Sequence, residues 1–94
     1  MNNSTLRILI ADDVFDSREL LKYILERLDC EVVAVAKNGE EALRHLTSYK
    51  PDIAFLDIDM PELSGLDVLE KLQDHNPPVY PIIVSGLSTM ENIK

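Results

Sequence analysis

PDIAFLDIDMPELSGLDVL, residues 51–69, holds a strand, an acidic turn and the start of a helix in one continuous run. Residues 53–56 are apolar without a break, which is typical of a strand covered on both faces of a parallel sheet. The strand ends at Asp57, and Ser64 with Asp67 three residues later predicts the N-cap of a helix. This stretch therefore predicts one β-α unit with a carboxylate at the carboxyl end of its strand.

The same alternation of strand and helix recurs on both sides of this segment. Three further short apolar runs predict strands: residues 6–11, 32–36 and 82–84. Apolar residues at helical spacing predict a first helix after the first strand: Leu20, Leu21, Ile24, Leu25 and Leu28. Strands that alternate with helices of this size predict an α/β fold, in which right-handed crossovers build a parallel sheet covered on both faces.

Capping residues place two more helices in this pattern. Asn38 followed by Glu41 predicts an N-cap with a reciprocal carboxylate, and the helix that follows stops before Pro51. Ser88 with Glu91 predicts the start of a fourth helix near the end of the chain. The chain is therefore expected to contain four β-α units in a single domain, residues 1–94.

Composition excludes several classes of protein. The 94 residues are 46% hydrophobic and 28% charged, with a formal net charge of −8, which is ordinary for a globular chain and excludes a disordered one. An acidic chain lacks the clustered Lys and Arg that phosphate contacts need, so no direct binding of nucleic acid is expected. No apolar run reaches the ~20 residues of a membrane span, and a single cysteine, Cys30, makes the cytoplasm the expected compartment.

Polar side chains follow three of the predicted strands. Asp12 and Asp13 follow the first strand, Asp57 the third and Ser85 the fourth. The carboxyl ends of parallel strands share one edge of the sheet, and neighbouring strands are about 4.8 Å apart. If the first and third strands are neighbours, three carboxylates meet in one pocket and raise each other's pKa unless a cation binds. Oxygen ligands in an incomplete cage favour Mg²⁺ over Zn²⁺.

Such a pocket also has a chemistry of its own. A carboxylate beside Mg²⁺ can act as a nucleophile toward phosphorus and form an acyl phosphate, while the metal neutralises the transferring oxygens. Asp57, alone at the end of its strand, is the candidate nucleophile, and the Ser85 hydroxyl is a candidate donor to the phosphate.

These residues resemble the receiver domain of two-component response regulators. The motifs that carry the resemblance are ILIADD at 8–13, NGEEAL at 38–43, the opening stretch at 51–69 and IIVSG at 82–86. The resemblance covers nearly the whole chain, and its acidic pair, D-x-x-M-P-x-x-x-G motif and serine occur in the family's order. It implies a flavodoxin-like three-layer sandwich with the strand order 2-1-3-4 in the part of the sheet that the chain contains.

The resemblance also implies a role for each polar residue. Asp57 would accept a phosphoryl group from a histidine kinase or phosphotransfer protein, so the chain would be a regulatory phosphoacceptor and not an enzyme. Asp13 and Asp57 would bind Mg²⁺ directly, together with the backbone carbonyl of Asp59, and Asp12 would act mostly through a bound water. Ser85 would be the switch hydroxyl, and an output domain would lie outside residues 1–94.

One family feature is missing from the sequence. The family carries a Lys at the end of a fifth strand, and Lys94 follows Ser85 too closely to serve as that residue. The chain is therefore expected to be a receiver truncated before its fifth β-α unit. Its fourth strand would then have an unpaired edge, which predicts dimerisation through that strand or through the uncovered helix face.

Two other functions remain open at this point. Asp57-Ile58-Asp59 after an apolar strand also resembles the nucleophile motif of haloacid-dehalogenase-type phosphatases, although here the acidic pair lies upstream and Pro61 follows the motif. Alternatively, the chain is a receiver-like interaction module that is not phosphorylated. A phosphomonoester turnover assay tests the first alternative, and a Mg²⁺ titration tests the second.

Overall fold

Strands and helices alternate along the whole described part of the chain. The computed structural model of the protein describes residues 5–75 and 79–84. The elements are β1 (Arg7–Ala11), α1 (Phe15–Arg27), β2 (Glu31–Ala36), α2 (Gly39–Tyr49), β3 (Ile53–Asp57), α3 (Gly65–His75) and β4 (Tyr80–Val84). Ser85 and the helix predicted from Ser88 lie outside the described residues.

The four strands form one parallel sheet in the order β2-β1-β3-β4. This confirms the predicted fold class and strand order. β4 starts at Tyr80, two residues earlier than predicted, and Pro81 lies within it opposite Ala54 of β3. Proline has no N–H to donate, and it is accepted here because β4 is an edge strand of the described sheet.

The sheet separates two apolar cores, which makes the fold a three-layer sandwich. On one face Leu9 and Ala11 of β1 pack with Ala42 and Leu46 of α2 and with Val68 of α3. On the other face Ile8 and Ile10 pack with Leu25 of α1. Side chains alternate between the faces of a strand, so β1 contributes to both cores and is buried along nearly its whole length.

The caps of α2 and α3 largely match the predicted pattern. The Asn38 side chain accepts a hydrogen bond from the Glu41 N–H at 2.8 Å, but the Glu41 carboxylate accepts from the Lys37 N–H at 3.0 Å and not from Asn38. The pair at α3 is reciprocal: the Asp67 N–H donates to the Ser64 hydroxyl at 3.2 Å and the Ser64 N–H to the Asp67 carboxylate at 3.0 Å. Both helices therefore begin at fixed positions next to the carboxyl edge of the sheet.

α1 begins differently. Its N-cap, Val14, has extended backbone angles and no side chain that can accept a hydrogen bond.

Among residues 5–75 and 79–84, no helix is long and apolar enough to cross a lipid bilayer.

Candidate functional site

The predicted acidic residues meet at the carboxyl edge of the sheet. β1 and β3 are neighbours, and Asp12 and Asp13 follow β1 while Asp57 is the last residue of β3. One carboxylate oxygen from each of the three residues lies within 4.8 Å of the others. The convergence of these three carboxylates, predicted from the strand ends in the sequence, is therefore present in the fold.

Asp12 and Asp13 differ in their surroundings. Asp12 is buried, and its carboxylate accepts a hydrogen bond from the Val14 N–H at 2.9 Å. Its own N–H donates to the Ala36 carbonyl of β2 at 2.9 Å. Asp13 is exposed. Asp12 is thus part of the turn that starts α1, whereas Asp13 is open to solvent.

Asp57 is the most buried of the three carboxylates, with only 3% of its surface exposed. Burial, together with the nearby charges of Asp12 and Asp13, raises the pKa of the Asp57 carboxyl from 3.8 to about 6, and burial is the largest cause. A hydrogen bond from the Asp59 N–H to the Asp57 carboxylate, at 3.2 Å, acts in the opposite direction. Asp57 is therefore a carboxylate whose charge is poorly compensated by the protein alone.

These properties fit a hard divalent cation. The three residues offer one oxygen ligand each, and together they leave half of a six-coordinate shell to other ligands, as suits Mg²⁺. A cation bound there would also relieve the repulsion that raises the pKa of Asp57. The acidic group could thus hold a metal ion.

The loop between β3 and α3, residues 58–64, directly follows Asp57. Asp59 is exposed, as expected for a side chain that turns to solvent. Further along, the Leu63 N–H donates to the Pro61 carbonyl at 2.7 Å, and the residue between them, Glu62, has a φ of 69°. A hydrogen bond between residues two apart with a positive φ between them defines a γ-turn, so the chain reverses tightly at Glu62.

Gly65 holds the base of this loop, where the loop ends and α3 begins. A Cβ built on Gly65 would overlap the carbonyl oxygen of Asp57 and lie 2.9 Å from its carbonyl carbon and 3.0 Å from the oxygen of Leu56. Only glycine allows the start of α3 to approach the end of β3 this closely. The D-x-x-M-P-x-x-x-G spacing seen in the sequence therefore has a steric reason at its last position.

Arg18 is a neighbour of the site that the sequence did not reveal. Arg18 lies in α1 and is half-buried, and its guanidinium donates to the Asp12 carbonyl at 2.9 Å. The guanidinium carbon also lies 5.4 Å from the centre of the Phe15 ring, a cation–π distance. Arg18 thus fastens the first turn of α1 to the end of β1.

Not every predicted site residue can be placed. Ser85, the predicted switch hydroxyl, follows β4 directly but lies outside the described residues. The carboxyl ends of β1 and β3, at Asp12 and Asp57, carry the acidic residues that the sequence motifs predict. The family model for the response regulator receiver domain matches residues 8–94, which include both.

The chain belongs to the response regulator receiver family. Among its relatives, chemotaxis protein CheY of Listeria monocytogenes is 42% identical over 82 residues, covering 87% of the receiver and 69% of that protein. The protein-glutamate methylesterase/protein-glutamine glutaminase 2 of Carboxydothermus hydrogenoformans is 43% identical over 86 residues. That match covers 90% of the receiver but only 24% of the enzyme. The receiver thus spans about a quarter of the length of this second relative.

Solved structures of receiver domains have the same fold as this chain. The response regulator domain of Thermotoga maritima CheB has a TM-score of 0.79 and 33% identity, covering 94% of the receiver and 70% of that chain. The signal receiver domain of NarL from Mycobacterium tuberculosis has a TM-score of 0.79 and 26% identity, covering 85% of the receiver and 65% of that chain. The family match decides between receiver and phosphatase in favour of the receiver, since it includes the acidic pair upstream of Asp57.

Proposed function

We propose that Asp57 is the residue of this receiver that accepts a phosphoryl group. The observation that carries the proposal is the convergence of three carboxylates around Asp57, the last residue of a central strand. Asp57 is the innermost of the three, whereas Asp12 is engaged in the turn before α1 and Asp13 is open to solvent. A nucleophile needs a free oxygen at a fixed position, and Asp57 meets this need best.

The donor in this proposal is a phosphohistidine on a histidine kinase or a phosphotransfer protein. A carboxylate oxygen of Asp57 forms a new bond to phosphorus while the bond from phosphorus to the imidazole nitrogen breaks. The imidazole leaves with the electron pair of that bond and takes up a proton from solvent. The product is an acyl phosphate on Asp57, and the protein transfers the group to itself without turning over a substrate.

Mg²⁺ is the proposed cofactor. Asp13, Asp57 and the carbonyl of Asp59 would bind it directly, with Asp12 acting mostly through a bound water. When bound, it neutralises the charge on the transferring phosphoryl oxygens. The arrangement of the three aspartates supports this set, since their oxygens are within 4.8 Å of one another.

The signal would pass from this site to an output. We propose that the Ser85 hydroxyl turns toward the phosphorylated Asp57 and that an output domain outside residues 1–94 responds. The kinase, the receiver and its output would act in the cytoplasm. The methylesterase relative supports an attached output domain, because its receiver-like part is about a quarter of a longer protein.

Two matched asparagine variants test the assignment of Asp57. Asp57→Asn and Asp59→Asn each remove one carboxylate from the same segment, but only the first removes the proposed nucleophile. Each variant is incubated with acetyl phosphate and Mg²⁺, and intact mass spectrometry measures the gain of one phosphoryl group. We expect uptake in the wild type and in Asp59→Asn and none in Asp57→Asn. Uptake at the wild-type level by Asp57→Asn contradicts the proposal.

A further inference from the structure

Gly39, the first residue of α2, lies against the loop of residues 58–64 that follows Asp57. It is buried, and a Cβ built on it would overlap the Cβ and the carbonyl oxygen of Leu63 and lie 2.9 Å from the Leu63 carbonyl carbon. Real Cβ atoms essentially never come within 3.0 Å of such neighbours. The start of α2 therefore lies directly against the loop of residues 58–64.

This loop is held at two points, both of which need a glycine. Gly65 meets the backbone of Asp57 at the base of the loop, and Gly39 meets Leu63 near its far end. Asp59, whose carbonyl is a proposed metal ligand, lies between these points. Leu63 is joined to Asp59 through the tight turn at Glu62 and through Met60, which is buried in the core, so we expect part of a displacement of Leu63 to reach Asp59.

α2 is the firmer of the two partners in this contact. Its first turn is fixed by the hydrogen bonds of Asn38 and Glu41, and Ala42 and Leu46 anchor it in the core. The loop, by contrast, exposes Asp59, Pro61 and Glu62. Added bulk at the contact therefore moves the loop more readily than the helix.

We propose that Gly39 is a positioning residue for the acidic site: by letting α2 lie against Leu63, it sets the position of the loop that carries Asp59. The proposal rests on the Mg²⁺ site of the proposed function, but the position of the loop can be measured without any metal. An unfavourable effect of alanine at this position would be diagnostic, since Gly→Ala inside a helix ordinarily stabilises a protein.

The central variant is Gly39→Ala, and Glu40→Ala is its matched control on the next, exposed residue of α2. The amide signal of Asp59 is followed by NMR in the metal-free protein, and Mg²⁺ affinity is then measured by titration. We expect Gly39→Ala to shift the Asp59 amide and to weaken Mg²⁺ binding about tenfold, the lower end of the effects seen for residues that orient metal ligands. Glu40→Ala should leave both unchanged.

A second pair of variants tests the steric cause. In the Gly39→Ala background, Leu63→Gly removes the Cβ that the new methyl group meets, whereas Leu63→Ala retains it. We expect the first to restore part of the Mg²⁺ affinity and the second to restore none. The rescue is expected to be partial because the carbonyl oxygen of Leu63, which the new methyl group also overlaps, remains in both variants. Equal rescue by Leu63→Gly and Leu63→Ala shows that the Cβ contact is not the cause and overturns the proposal.

The remaining outcomes are also decisive. A folded Gly39→Ala with an unmoved Asp59 amide and wild-type Mg²⁺ affinity overturns the proposal. If Gly39→Ala does not fold, Asn38→Ala replaces it as the test, because this variant loosens the start of α2 without adding bulk. A shifted Asp59 amide with weaker Mg²⁺ binding in Asn38→Ala then supports the proposal. Wild-type values for both measurements overturn it. If the wild type binds no Mg²⁺ but Gly39→Ala still shifts the Asp59 amide, the steric role of Gly39 is supported and only the metal site is refuted.

Discussion

The charge of Asp57 opposes folding of the metal-free receiver. Its pKa is about 6 in the folded chain and 3.8 when unperturbed, so between these values the folded state holds more protons than the unfolded state. Protonation of Asp57 stabilises the folded state, and this stabilisation is fully present below pH 3.8 and is lost as the pH rises through 6. At pH 7 the ionised Asp57 therefore lowers the free energy of unfolding.

Asp57→Asn should accordingly raise the free energy of unfolding at pH 7 by on the order of 1 kcal/mol, allowing for solvent that enters beside the exposed Asp13. The gain should shrink as the pH falls toward 4, because the wild-type carboxyl then takes up its proton. Urea unfolding without metal at several pH values measures the difference. A variant that is less stable than wild type at pH 7 contradicts the predicted sign.

Replacing Asp12 and replacing Asp13 should change the free energy of unfolding by different amounts. Asp13→Ala removes an exposed charge that repels its neighbours, so its stability should equal or exceed that of the wild type. Asp12→Ala also removes the acceptor for the Val14 N–H and should be about 1 kcal/mol less stable than Asp13→Ala. Both should bind Mg²⁺ more weakly, as measured by titration. A loss above about 2 kcal/mol for Asp13→Ala would mark that residue as structural.

The sequence predicts the site only where a local pattern encodes position. Asp12, Asp13 and Asp57 each follow an apolar strand closely, and parallel strands end at a common edge, so their convergence follows from the pattern. The side chain of Arg18 turns back toward β1, and nothing in the periodicity of α1 indicates that direction. The contact of Gly39 with Leu63 depends on how two separate segments pack, which composition and spacing do not reveal.

Among the elements, the helices with capping side chains were the easier ones to predict. Asn38 and Ser64 mark the starts of α2 and α3 correctly. α1 starts after Val14, which carries no such signal, and β4 includes Pro81, which sequence rules exclude from most strands. The boundaries that could not be predicted are those where tertiary contacts replace a local signal.

The uncapped start of α1 offers a stabilising substitution. Val14 has the extended backbone of an N-cap, and 42% of its surface is exposed, so little packing is lost when it is replaced. Val14→Ser should raise the free energy of unfolding by about 1 kcal/mol, because the hydroxyl can accept from the Ser17 N–H. Val14→Ala is the control, since it removes the same apolar group without adding an acceptor. Equal stability of the two variants in urea unfolding contradicts the prediction.

At the scale of the molecule, α1 carries an apolar stripe that no described element covers. The stripe consists of Leu20, Ile24 and Leu28, which are 48%, 44% and 66% exposed and follow one another at every fourth residue. β4, with the half-buried Ile82 and Ile83, is an edge of the described sheet. Exposed apolar stripes and unpaired strand edges both favour association with another chain.

We therefore expect the 94-residue chain to self-associate at micromolar concentration in sedimentation experiments. Ile24→Lys should shift the chain toward monomer if the stripe on α1 is the contact, whereas Ser48→Lys adds the same charge to the exposed side of α2 and should not. Association that persists in Ile24→Lys points to the β4 edge instead. A wild-type chain that stays monomeric contradicts the prediction for both surfaces.

The burial of β1 on both faces has a consequence for the exchange of amide hydrogens with solvent. Ile8, Leu9 and Ile10 are at most 1% exposed, and β1 is hydrogen-bonded to a strand on either side. Their amides can take up deuterium only when the whole sheet opens, whereas those in the uncapped first turn of α1 can exchange by local fraying. Deuterium uptake at β1 thus measures the global free energy of unfolding, whereas uptake in the first turn of α1 reports local opening beside Asp12 and Asp13. One labelling experiment therefore separates damage to the fold from damage to the site.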